Sequence, residues 1–254
     1  MEHHVKEALE ELVTALSKAR GLGLERLPTK SLQAISKMEE ELKRLRDKTH
    51  DHGPEPGLSQ VTSLEQLEQL LHSCQDCQLS ATRKNVVVGE GSKRPLLMLV
   101  GEAPGREEDV TGRPFVGKSG ELLTKMLRAI NLSRSEVYIT SVVKCRPPRN
   151  RTPHRDEIAA CLPYLHKQIE LLDPALLLCL GSTAAHALLN TENPLSKLRG
   201  RFYSLGKRKV LVTYHPAYLL RFGGSKLLNL KKQAWQDLQM LQREYERLKR
   251  QEKP

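Results

Sequence analysis

Apolar residues recur at three- and four-residue spacing over the first 46 positions, then give way to short, nearly continuous apolar runs. Val5, Ala8, Leu9, Leu12, Val13 and Leu16 share one helical face, and Gly21 and Gly23 stop it. Leu32, Ile35, Met38, Leu42 and Leu45 form the stripe of a second helix over about 31–46. The run His50-Asp51-His52-Gly53-Pro54-Glu55-Pro56-Gly57 reads as a linker. From residue 63 onward, the runs 96–100, 137–143, 175–180 and 210–213 predict strands covered on both faces by helices. Amphipathic stretches at 121–130, 157–172 and 182–189 separate them, and a charged helix at 226–250 closes the chain. The alternation predicts an α/β fold with an open, mainly parallel, four-stranded sheet. The expected organisation is a helical N-terminal extension (1–48), a linker (49–62) and one α/β domain (63–250).

In open α/β sheets, ligands bind beyond the carboxyl ends of the strands. The first predicted strand runs into Gly101-Glu102-Ala103-Pro104-Gly105. The second ends at Ser141 and continues to Lys144-Cys145-Arg146-Pro147-Pro148. The third ends in Gly181-Ser182-Thr183, and the fourth in Tyr214-His215-Pro216-Ala217-Tyr218. Polar, glycine-rich and aromatic residues thus converge on one rim, which marks a site without naming its ligand. The turn at Glu102 lacks the lysine and spacing of a phosphate-cradling P-loop. His215 directly follows a strand, a placement that favours a catalytic role over a structural one.

Charge sharpens this picture once it is divided along the chain. Residues 1–60 hold 10 Lys/Arg against 11 Asp/Glu, whereas residues 61–254 hold 31 against 19. The basic excess therefore belongs to the α/β part, as expected of a surface that meets a polyanion, with general surface solubility the plain alternative. No apolar run approaches the ~20 residues of a membrane span. The N-terminus lacks the apolar core of a signal peptide, so a cytoplasmic protein is expected.

Five cysteines in a reducing compartment point away from disulfides and toward metal ligation. Cys74-x2-Cys77 precedes the first strand, and Cys145 and Cys161 straddle the loop and helix after the second. Four thiolates suit either zinc or an iron–sulfur cluster, and the wide second pair is unlike a zinc knuckle. Cys179 lies within a strand and reads as core.

At this point the motifs resemble one family. Gly101-Glu102-Ala103-Pro104-Gly105-Arg106-Glu107-Glu108-Asp109 with Thr111-Gly112-Arg113-Pro114-Phe115-Val116-Gly117 resembles the first motif of family 4 uracil-DNA glycosylases. Val143-Lys144-Cys145-Arg146-Pro147-Pro148 with Asn150-Arg151-Thr152-Pro153 resembles its cluster loop, and His215-Pro216-Ala217-Tyr218-Leu219-Leu220-Arg221 its last motif. The resemblance spans roughly residues 64–245. It implies a three-layer α/β/α sandwich, a [4Fe–4S] cluster on Cys74, Cys77, Cys145 and Cys161, and hydrolysis of the glycosidic bond of deoxyuridine in DNA by a prokaryotic repair enzyme.

By the same resemblance, His215 hydrogen-bonds the uracil oxygen that gains charge. Phe115 stacks on the flipped base, and Glu108 lies near its C5 edge. Gly101, Ala103, Ser141 and Asn150 complete the base pocket, and Arg106, Arg151 and Arg221 contact DNA. Related glycosylases carry an aspartate where this chain has Ala103. Glu102 is then the candidate for orienting water and Asp109 the second, against a purely structural carboxylate bonded to its own loop. Ser141 stands where the family usually has asparagine, whose amide offers donor and acceptor together. Asn150 occupies the place of a histidine that links covalently to uracil in a further relative, so no such link is expected. Two other readings follow from Ser141 and the N-terminal helices. One is a non-catalytic DNA-binding or polymerase-associated module with a protein partner for those helices. The other is a glycosylase for another deaminated base such as hypoxanthine.

Overall fold

The computed structural model describes residues 57–251. The two helices expected before residue 48, and most of the expected linker, lie outside the described residues. Strands β1 (Glu90–Gly91), β2 (Leu97–Gly101), β3 (Tyr138–Ser141), β4 (Leu176–Leu180), β5 (Phe202–Leu205) and β6 (Arg208–Thr213) form one sheet. Their spatial order is β1-β3-β2-β4-β6-β5. β2 pairs in parallel with β3 and with β4, and β4 with β6. β1 and β5 pair antiparallel at the two edges.

The expectation of four strands is therefore corrected to six, with the anticipated four forming the parallel centre. Two residues of β1 cannot display a periodicity. β5 returns to β6 through a tight turn at Gly206, where φ is 57°. That hairpin was readable in principle from a glycine between two apolar runs, but Arg201 and Lys207 to Lys209 dilute the pattern.

Helices α1 (Leu64–Ser73), α2 (Arg106–Thr111), α3 (Lys118–Ala129), α4 (Arg155–Leu172), α5 (Ser182–Leu189), α6 (Leu195–Leu198), α7 (Pro216–Leu219) and α8 (Gly224–Gln251) complete the described fold. Every residue of β2, β3 and β4 is buried, because side chains alternate between two covered faces. Leu97 and Leu99 pack with Leu123 and Leu127 of α3 and with Leu238 and Leu241 of α8. Met98 and Val100 pack on the opposite side with Leu165 and Ile169 of α4 and with Ala184 and Leu188 of α5. These are the two outer layers of an α/β/α sandwich. A smaller cluster seats Leu67 and Leu71 of α1 against Tyr164 of α4.

The chain leaves β2 toward β3 on one side, then crosses back over it to β4 on the other. The carboxyl ends of β2 and β4 therefore flank the point where the winding reverses, where ligands enter such sheets.

Candidate functional site

A cavity of about 660 Å³ opens at that reversal point, lined among others by Glu102, Phe115, Ser141, Asn150, His215 and Arg221. Each of the four parallel strands contributes through the residues that follow it. Gly101 and Ser141 are in register at the ends of β2 and β3, which places the Glu102 turn beside Ser141. Gly181, after β4, has φ 94°. A Cβ there would stand 3.1 Å from the Cβ of His215, so the missing side chain lets the His215 turn close onto β4.

His215 caps α7, and its Nδ1 accepts a hydrogen bond from the backbone N–H of Ala217 at 3.1 Å. Nδ1 is thereby an acceptor, and the neutral ring carries its proton on Nε2. Burial first, and the positive charge of Arg221 second, push the His215 pKa down to about 4 against the opposing pull of Glu108. The ring is thus a neutral donor at physiological pH. Its centroid lies 5.6 Å from that of Phe115, with the planes at 30°.

Glu102 lines the same cavity, and one of its carboxylate oxygens accepts a hydrogen bond from the Thr183 hydroxyl at the start of α5. This contact bridges the ends of β2 and β4 and leaves the second oxygen without a donor among the described residues. Glu102 is thus held by a partner across the winding reversal, not by its own loop.

Other expected site residues have different positions. Asp109, the second carboxylate candidate, is 2% exposed and does not line the cavity. Its Oδ1 accepts from the backbone N–H of Lys84 at 2.8 Å, and its Oδ2 lies 3.9 Å from Arg146. That anchoring makes it a loop tether. Glu108 does line the cavity, yet both of its oxygens are engaged. Oε2 accepts from Gly105 N–H at 3.0 Å, and Oε1 from Val116 and Gly117 N–H at 2.9 and 3.0 Å. The carboxylate joins the Gly105 turn to the segment that carries Phe115.

Arg151 reaches the cavity wall, but its guanidinium is paired with buried Glu157 through bonds of 2.8 and 2.6 Å. Its charge is largely spent within the protein. Arg221 lines the mouth and Arg106 is exposed nearby in sequence on α2. Asn150 lines the rim, and its side-chain oxygen accepts from Arg146 at 2.7 Å. Gly101 and Ala103 lie on either side of Glu102; a Cβ at Gly101 would come within 2.5 Å of the Phe115 ring.

Two features had no signature in the sequence. Arg134 donates to the carbonyls of Pro114 and Phe115 at 2.7 and 3.0 Å. Lys144 is fully buried, and its ammonium donates to Thr140 Oγ1, the Ser141 carbonyl and Gln168 Oε1 at 2.7, 2.6 and 2.6 Å. Burial lowers its pKa to about 8, with the charge of Cys161 and Cys145 opposing. A lone arginine in a connection and a lysine inside a motif give no periodic or spacing signal.

Cys74, Cys77, Cys145 and Cys161 line a second cavity, with Leu71, Val86 and Ala160 among its walls. Arg83 Nη1 donates to Cys145 Sγ at 3.2 Å, and the Lys144 backbone N–H to Cys161 Sγ at 3.3 Å. Burial pushes all four thiols up, Cys161 to about 12. Among the described residues no group of three or more His, Cys, Asp or Glu is placed to hold a metal ion. Four thiols around one apolar cavity, two of them carrying N–H donors on their sulfurs, are a donor set of the kind that thiolate-bound groups use. Cys179 is fully buried in β4, as expected of a core residue.

The sandwich, the cavity at its winding reversal and the neutral histidine beside an aromatic describe a base-handling enzyme of the glycosylase kind. Residues 88–239 match the family model of the uracil DNA glycosylase superfamily, and the chain belongs to that superfamily. Within it, the chain is 46% identical over 166 residues to the type-4 uracil-DNA glycosylase of Pyrobaculum aerophilum, covering 62% of this chain and 85% of that protein. The type-4 enzyme of Thermotoga maritima is also 46% identical, with 65% and 86% covered. That of Archaeoglobus fulgidus is 43% identical, with 63% and 84% covered.

Proposed function

We propose that this chain hydrolyses the N-glycosidic bond of deoxyuridine in DNA, releasing uracil and leaving an abasic site for base excision repair. The observation that carries this reading is the Ala217 N–H bond to His215 Nδ1, which leaves the proton of the neutral ring on Nε2, in the wall of the cavity that Glu102 also lines and beside Phe115.

A uracil stacked inside DNA is out of reach of these groups, so its nucleotide must swing out into the cavity at a cost of a few kcal/mol. Phe115 offers the face on which the base stacks. Water attacks C1′ of the sugar while the bond from C1′ to N1 breaks and its electron pair leaves with the base; the water gives up one proton to solvent as the 1′-hydroxyl forms, and the uracil anion takes one up after it departs. Negative charge then grows on the uracil oxygen, where the Nε2–H of His215 donates. A donor already in place and desolvated lowers the barrier without reorganising. Glu102, fixed by Thr183, orients the water or offsets the positive charge on the sugar with its remaining oxygen. Glu108 acts through structure, holding the Phe115 segment against the Gly105 turn and so shaping the wall at the C5 edge. Ser141, Ala103, Gly101 and Asn150 line the remaining pocket, and Arg106 and Arg221 meet phosphates.

Cys74, Cys77, Cys145 and Cys161 would hold a [4Fe–4S] cluster, which ties the segment before β2 to the loop after β3. Hydrolysis transfers no electrons, so the thiols take no part in the step itself.

Uracil-containing single- and double-stranded oligonucleotides, followed by cleavage of abasic sites, test the reading directly. Wild type should release uracil, and His215→Ala should lower kcat by about 10²–10³-fold, as loss of one charge-stabilising donor does. Absence of product from either substrate, with His215→Ala and wild type indistinguishable, would overturn it.

A further inference from the structure

Phe115 occupies a backbone conformation that a bulky side chain rarely adopts, with φ 51°. Such strain persists only where the surroundings over-determine it. Glu108 holds the amides that follow Phe115, and the side chain that holds its carbonyl lies outside every motif. Arg134, in the connection between α3 and β3, sends Nη1 to the Phe115 carbonyl at 3.0 Å and Nη2 to the Pro114 carbonyl at 2.7 Å. The same guanidinium meets Glu90 Oε1 through Nε and Nη2 at 3.1 and 2.6 Å. Glu90 is itself fixed on edge strand β1, in register with Ile139 of β3.

Two glycines leave no slack around Phe115. A Cβ at Gly120 would stand 1.8 Å from the Phe115 carbonyl oxygen, and one at Gly101 would stand 2.5 Å from the ring. The ring therefore rests on bare backbone at Gly101, while the carbonyls of Pro114 and Phe115 are held by one planar fork.

We propose that Arg134, anchored by Glu90, is a positioning residue for base capture: it holds the Pro114–Phe115 carbonyl pair so that the aromatic platform stands ready before the base arrives. The inference rests on the reading that Phe115 stacks on the extruded base. It gives edge strand β1 a purpose, since β1 presents the carboxylate that orients the fork. A lysine could pair with Glu90 but lacks the planar set of donors that spans two carbonyls and a carboxylate together.

The test uses the full chain as purified and compares two DNA ligands. One carries a non-cleavable 2′-fluorinated deoxyuridine; the other carries a tetrahydrofuran abasic analogue, which has no base to stack. Arg134→Gln should lose about tenfold in affinity for the fluorinated ligand, in the range of one base–aromatic stack, while binding the abasic ligand like wild type. Arg134→Lys should recover part of that loss, and Glu90→Gln should show the same selective defect in smaller measure. Those two variants carry the comparison if Arg134→Gln fails to fold, which urea unfolding reveals.

Phe115→Ala should reproduce the selective loss, and adding Arg134→Gln to it should cost nothing more. Equal losses on both ligands, or none on either, in the Arg134 and Glu90 variants would overturn the positioning role. An unchanged Phe115→Ala would instead overturn the stacking reading, whatever the Arg134 variants do.

Discussion

A histidine whose Nδ1 accepts a backbone N–H has only Nε2 left to donate, and at His215 burial reinforces that choice by holding the ring neutral. The linkage sign follows from the depressed pKa. The ring stays neutral in the folded protein down to about pH 4, whereas an unfolded histidine gains its proton near pH ~6.5. The His215 contribution to stability is therefore present above pH ~6.5, declines as pH falls from there toward 4, and is gone below. The same argument predicts that kcat/KM for uracil DNA has no inflection near pH ~6.5 and falls only as pH approaches 4. A rate profile with a clear acid limb at about 6.5 would show that the ring titrates freely and is not held as described. Neighbouring carboxylates show how much environment decides: Glu102 meets a single hydroxyl, Glu108 three backbone amides, and Asp109 backbone N–H groups of another loop.

Elements, too, are joined by a few buried polar contacts. Arg199, after α6, bonds Asp237 on α8 at 3.1 and 2.7 Å, and Thr213 at the end of β6 donates to the same carboxylate at 2.8 Å. Asp237 is fully buried, and its pKa is raised by burial against the pull of Thr213 and Arg199. The guanidinium also lies 5.2 Å from the centroid of Tyr214, which lines the cavity. Removing one member of such a pair strands a buried charge. Arg199→Met should therefore destabilise the protein by about 3–5 kcal/mol in urea unfolding. The double variant Arg199→Met with Asp237→Leu should recover part of that loss. A single variant that unfolds like wild type would mean that the contact does not join β6 to α8 energetically.

Across the whole molecule, the basic excess of residues 61–254 and the cavity face one task, holding a polyanion while one base is examined. Binding should weaken with salt, each phosphate contact adding about −0.9 to the slope of log K against log[salt] on duplex DNA. Arg221→Ala should lower that slope by about one contact. Arg151→Ala should change it little, because Glu157 already neutralises that guanidinium. Equal slope changes in the two variants would refute the assignment. The proposed cluster makes a second claim at this scale, since its four thiols would join the end of α1, the loop after β3 and α4. Cys161→Ser should abolish absorbance near ~400 nm and lower Tm, because the buried segments then lose their common anchor. Retained colour would exclude Cys161 as a ligand.

The parallel centre of the sheet, the convergence of its strand ends on one cavity and the gathering of four cysteines around another were legible in the sequence. Apolar runs, turn residues and spacing are local patterns that survive without knowledge of the rest of the chain. The three-layer architecture followed from a resemblance, and the packing of α3 and α8 against α4 and α5 on opposite faces is its physical content. What the tertiary structure alone decided is which partner each polar group meets. It turned Asp109 into a tether and Glu108 into a loop clasp, paired Arg151 internally, added the edge strands β1 and β5, and set Arg134 behind Phe115. The reason is one of range: a carboxylate or guanidinium has a composition but no periodicity, and its role depends on amides and carbonyls that only folding brings within about 3 Å.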